Sequence, residues 1–282
     1  MSARGGRAFG RCGSNGRAKR VPLKVVHRPG NSDHAGVSQR HLSFIESGRS
    51  APSRETLLAI AEALEIPLRE RNALFLAAGY APPYSEATWD EAEMRSITAA
   101  IDRLLAQQEP YPAVLLDRYW NVLSANAASP RFFGSFIDMH ALQARTGRRN
   151  LLHLMFDPAG MRPFIHDWEN VSRSLIQRVH REAIGHMLDD RTRELLDTLS
   201  AYPGVPTESK GKWQDTAANL PMIPLSFVRG DIVLKYFSIV ATVGTPQTIA
   251  SQELRVECLF PADELTETHH VALMEQSAER ET

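Results

Sequence analysis

Residues 36–57 read GVSQRHLSFIESGRSAPSRETL, and two helices joined by a turn are written into that stretch. Ser38 stands where a helix N-cap belongs, with Val37 as the apolar residue before it. Val37, Leu42 and Ile45 then fall on one helical face. Gly48 supplies a left-handed stop. Pro52-Ser53 opens a second helix, capped by Ser53 and burying Leu57, Leu58, Ala61 and Leu64. Ile66-Pro67 breaks it, and a third helix is expected from about Leu68 to Gly79, burying Leu74, Leu76 and Ala77. The Pro-rich stretch from Tyr80 to Ser85 then reads as a linker.

Further along, the pattern changes. A helix is expected near Met94 to Gln107, ended by Pro110 and Pro112. Ala113–Asp117 and Trp120–Ser124 read as two strands around the turn Asp117-Arg118-Tyr119, and a short helix starts near Ala125 to Ala128. Asn150–Met155, Asp167–Gly185 and Arg191–Ala201 read as helices. Leu225–Val228, Asp231–Thr242 and Glu253–Phe260 are β-rich, with Arg229-Gly230 as the hairpin turn between the first two. Helices plus an antiparallel sheet make this half α+β. The chain is therefore expected to be multidomain. A leader spans 1–35, the first helices 36–80, a linker 81–92, the α+β domain 93–275 and a tail 276–282.

A length of 282 residues fits two domains, and 43% hydrophobic residues suffice for a core. No apolar run approaches the ~20 residues of a membrane span, so no membrane association is expected. The basic N-terminus is not followed by an apolar stretch, so no secretory leader is expected either. Cys12 and Cys258 form no spaced motif, which fits a reducing cytoplasm. Net charge is -1, yet residues 1–36 carry eight Lys/Arg against Asp33 alone. That basic segment shows no periodicity and is expected to be disordered, with a polyanion as its natural partner.

Residues 36–57 resemble the second half of a phage-repressor-like (Xre-type) helix-turn-helix. The matching positions are Gly36-Val37-Ser38, Leu42-Ser43-x-Ile45-Glu46-x-Gly48 and Pro52-Ser53. From about residue 35 to 275 the chain is similar to the MmyB-like transcription regulators. The stretches that carry the likeness are Arg69–Pro82, Glu109–Ala113, Asp117–Asn126 and Asn150-Leu151-Leu152. The resemblance implies an all-α helix-turn-helix followed by an α+β, PAS-like ligand-binding domain. The family has two helices before Gly36, whereas Pro22, Pro29 and Gly30 here would break both. The helix-turn-helix is thus expected to be incomplete, its upstream helices replaced or frameshifted.

By position in the family pattern, Gln39 and Arg40 are the base readers, since Gln pairs with adenine and Arg with guanine. Ser43 and Phe44 come next along that face, and Ser47, Arg49 and Ser50 meet phosphate. The resemblance also implies a homodimer on double-stranded DNA and a small apolar ligand, fatty-acid-like or otherwise. Candidate ligand contacts are Trp120, Asn121, Phe133, Phe156, Trp168, Arg173 and Phe237, with Asn126 as a further polar anchor. The alternative is a ligand- or partner-binding protein that has lost specific DNA binding.

Nothing points to catalysis, a cofactor or a metal. His180 and His186 are six residues apart, and His269-His270 has no third ligand at suitable spacing, so these histidines are expected to be solvated. No phosphate-cradling loop or Gly-x-Ser-x-Gly nucleophile turn occurs.

Overall fold

The computed structural model describes residues 37–86, 91–184, 189–206 and 225–280. The basic leader, part of the linker and His186 lie outside the described residues, as do the expectations that fall on them.

Two compact units divide the chain, the smaller holding residues 37–65 and 73–81 of those described. Its first helix, α1 (Gln39–Glu46), starts where Ser38 accepts a hydrogen bond from the His41 N–H, at 3.2 Å. Gly48, at φ +68°, ends it. The turn is closed on one carbonyl, that of Phe44, which accepts from Arg49 N–H (2.8 Å), Ser50 N–H (3.1 Å) and Ser47 Oγ (3.2 Å). Helix α2 (Arg54–Ala63) is capped by Ser53, which accepts from Thr56 N–H at 3.2 Å. Helix α3 (Leu68–Ala77) follows. Ile45, Leu57, Ile60, Ala61 and Phe75 are this unit's buried apolar residues. The expectation for α3 was one position out of phase: Phe75 is buried and Leu76 is 59% exposed. Counting from Leu68 in steps of about three and a half residues reaches Asn72 and Phe75, not Leu76.

The larger unit is α+β, as expected. After a 3-10 turn (Ala92–Met94) come α4 (Arg95–Gln107), β1 (Ala113–Leu116) and β2 (Val122–Ala125). Next are α5 (Ala128–Gly134), α6 (Met139–Thr146), α7 (Leu151–Phe156), α8 (Trp168–Ile184) and α9 (Asp190–Ser200). The chain ends with β3 (Leu225–Arg229), β4 (Ile232–Thr242), α10 (Ile249–Glu253), β5 (Arg255–Pro261) and α11 (Glu264–Arg280). The strands form one antiparallel sheet in the order β2-β1-β5-β4-β3. Two buried clusters flank it. One gathers around Phe132, whose ring meets Phe133, Phe136, Phe227 and Tyr236 at 5.3–5.4 Å. The other joins Met94, Ile101 and Leu105 to Leu115 and Val256.

Several local expectations are corrected. The second strand begins at Val122, not Trp120, because Asp117 pins the turn. Its Oδ1 accepts from Tyr119 N–H (2.8 Å) and Asn121 N–H (2.9 Å), and its Oδ2 from Asn121 Nδ2 (2.9 Å). Trp120 is thereby held at φ +66° with its ring buried, a conformation a large side chain adopts only under constraint. The β3–β4 loop is Gly230-Asp231, since Arg229 pairs with Ile232. Helix α11 was not expected because its buried face opens on polar residues: it buries Thr266 and His270 before Leu273 and Met274, while Leu265 and Val271 stay exposed.

His270 also overturns the expectation of a solvated pair. Its side chain is inaccessible, with Nε2 at 2.9 Å from the Pro110 carbonyl and Nδ1 at 2.7 Å from Tyr236 Oη. A carbonyl only accepts, so Nε2 carries the proton and the Tyr236 hydroxyl donates to Nδ1. Burial lowers the His270 pKa and holds that of Tyr236 well above its usual value.

Candidate functional site

Helix α1 buries Ile45 and turns Gln39, Arg40, Ser43, Ser47 and Arg49 to solvent. Phe44 and Ser50 are half-buried. The Arg40 guanidinium lies 5.6 Å from the centre of the Phe44 ring, so these two share one patch. Three of the seven candidate DNA contacts are fixed by the turn itself: the backbone of Arg49 and Ser50 and the hydroxyl of Ser47 all bond to the Phe44 carbonyl.

Two neighbouring cavities in the α+β unit bear on the candidate site. The larger, about 740 Å³, is bounded by β1, β2, α5, α6 and α7, with Tyr202 closing one side. Val122, Phe133, Met139, Leu142, Leu151 and Leu154 supply apolar wall. Arg145, Arg148, Arg149 and Asp157 supply charge. The smaller, about 50 Å³, lies against Trp120, Met155, Leu175, Phe227 and Leu259. Val114, Phe133 and Leu151 line both, so a wall of three side chains is shared.

A network of ion pairs lies against Trp120. Arg178 and Arg255 lie 4.6 and 4.7 Å from the Trp120 ring centre. Arg178 binds Glu257 and Glu182, and Arg255 binds Glu182 and the carbonyl of Arg118.

His153 lies on the wall of the larger cavity between Arg148 Nη1 (3.2 Å, at Nε2) and Tyr202 Oη (3.0 Å, at Nδ1). Burial, then the charge of Arg148, pushes its pKa down to about 4. Asp157 is tied to Arg145 Nη2 at 2.7 Å and to the Ala159 N–H at 2.8 Å.

Of the sequence-derived ligand candidates, Phe133 lines both cavities and Trp120 the smaller one. The others lie elsewhere. Asn121 is bonded to Asp117 and Asn150. Phe156 packs edge-on to Trp168, whose Nε1 donates to the Gly204 carbonyl. Arg173 pairs with Glu169, and Phe237 stacks on Phe260. Asn126 does line the larger cavity, but its amide is engaged by Tyr111, Ala113 and Ser129. Sequence reasoning missed Arg145, Arg148, Arg149, His153 and Tyr202. The basic run Arg145-Thr-Gly-Arg-Arg149 was the available signal, but only folding brings Tyr202 to it.

A capped helix presenting polar side chains precedes an α+β unit that holds a cavity of about 740 Å³, a layout that fits a DNA-binding transcription regulator with a ligand-binding domain. The comparisons agree. A model described as the MmyB-like transcription regulator ligand binding domain matches residues 97–273. A helix-turn-helix model matches residues 32–71. The chain belongs to the MmyB-like transcription regulators. No curated protein matches it. Both matching families are those of regulators rather than enzymes. Among the described residues, no three His, Cys, Asp or Glu side chains cluster as metal ligands, and no helix is long and apolar enough to cross a membrane.

Proposed function

We propose that this regulator reads its operator with α1 and answers to a small molecule with an apolar body held in the α+β domain. It acts in the cytoplasm as a homodimer. Gln39 and Arg40 meet base edges, Ser43 and Phe44 extend that contact, and Ser47, Arg49 and Ser50 meet phosphate. The observation that carries the DNA reading is the orientation of α1, which buries Ile45 and leaves Gln39, Arg40 and Ser43 exposed beyond the Ser38 cap. A ligand that prefers one arrangement of the dimer shifts the spacing of two such helices, and so the affinity for paired half-sites.

The test is DNA binding by the full chain, titrated against its own upstream region and a scrambled duplex over a range of salt. Preference for the native region that persists as salt rises supports the reading. Equal binding to both duplexes that collapses with salt means that only nonspecific phosphate contacts remain, and the DNA half of the proposal is then wrong.

A further inference from the structure

The larger cavity is not simply apolar. Three arginines (Arg145, Arg148, Arg149) line it with one carboxylate residue, Asp157, which leaves two positive charges in excess. Asp157 is already paired with Arg145. Arg148 and Arg149 have no carboxylate partner among the described ion pairs.

The polarity of the neighbouring hydrogen bonds points the same way. A guanidinium only donates, so Arg148 makes His153 Nε2 an acceptor. A neutral imidazole then carries its proton on Nδ1 and donates it to Tyr202 Oη. That oxygen is occupied as an acceptor, and its own hydrogen is left to donate. Tyr202 lines the cavity. The polar groups of the cavity therefore offer donors and positive charge, while its carboxylate is taken. Val122, Met139, Leu142 and Leu154 add apolar wall.

We infer that this cavity takes an amphipathic organic dianion, a phosphomonoester or a dicarboxylate on an acyl or aromatic body, with its head held by Arg148, Arg149 and the Tyr202 hydroxyl. The two excess charges match a doubly charged head, and planar guanidiniums grip phosphate or carboxylate oxygens in pairs. A cavity of about 740 Å³ accommodates such a molecule. The inference rests on the reading of the α+β domain as a sensor and specifies the chemistry it senses.

The experiment is calorimetric titration of the full chain with decyl phosphate, octylsuccinate, decanoate and decanol. Both dianions are expected to bind at least about tenfold more tightly than decanol, with decanoate between them. Whichever of decyl phosphate and octylsuccinate binds more tightly identifies the head group. The variant Arg148→Gln/Arg149→Gln is expected to lose about tenfold for the dianions and nothing for decanol. Tyr202→Phe, which removes only a hydroxyl, is expected to lose a smaller part of the same preference. Equal binding of decanol and the dianions, or an unchanged preference in the double variant, overturns the inference and leaves the apolar-ligand reading standing. Failure of all four to bind overturns both.

Discussion

Arg178 and Glu257 form a two-pronged ion pair, with Nη1–Oε1 at 2.9 Å and Nη2–Oε2 at 3.2 Å, against the ring of Trp120. Both side chains are largely withdrawn from water, at 16% and 10% exposure. Glu257→Leu leaves Arg178 with Glu182, which Arg255 also uses, and is expected to destabilise the α+β domain by about 2 kcal/mol, less than the ~3–5 kcal/mol of a charge left with no partner. Arg178→Met with Glu257→Leu is expected to recover much of that loss. Urea unfolding of the two variants checks it, and equal losses in single and double variants would show that the pair is not coupled.

His153 ties stability to pH. Its folded pKa, about 4, lies below the ordinary 6.5. The folded state therefore binds fewer protons between those values, and its contribution is complete above pH 6.5 and lost as pH falls toward 4. His270, also lowered by burial, acts in the same direction. Urea melts across this window are expected to show falling stability, and a flatter profile in His153→Asn. An identical slope in that variant would place the dependence elsewhere.

For the DNA contacts, Gln39→Ala or Arg40→Ala is expected to cost ~1–3 kcal/mol of operator affinity and to relax specificity at one base pair. Arg49→Ala should instead weaken all sequences alike and reduce the salt slope by ~1. Fluorescence anisotropy against operator and scrambled duplexes separates the two outcomes.

Two glycines carry different constraints. Gly48 has open space around it but a φ of +68°, so Gly48→Ala is expected to cost ~1 kcal/mol through backbone strain, and Gly48→Asn less. At Gly160 a Cβ would collide with the Leu154 carbonyl. Gly160→Ala is expected to cost about 2 kcal/mol by forcing the chain apart beside the cavity. Thermal melts of the three variants test this ordering.

Much of the fold was legible because local rules act within a few residues. Ser38 and Ser53 cap helices where a serine precedes an apolar repeat, Gly48 and Gly79 stop them, and short β-rich runs became β1, β3, β4 and β5. The candidate DNA face came from position in the family pattern, and in the fold Ile45 is the buried position of α1 while Gln39, Arg40 and Ser43 are exposed. Helix α11 was not legible, because the first two positions of its buried face, Thr266 and His270, are held by hydrogen bonds and only Leu273 and Met274 continue it as an apolar stripe.

By itself, then, the sequence determined where most helices begin and end, which runs are β-rich, and that a helix-turn-helix precedes an α+β domain. Tertiary structure alone decided what lines the cavity. Arg148, His153 and Tyr202 are separated by up to 54 residues, and only the packing of α7 beside the end of α9 brings them into one hydrogen-bonded chain. Periodicity reports which face of an element is apolar. It carries no information on which distant polar groups that face will bring together, because that depends on how whole elements pack.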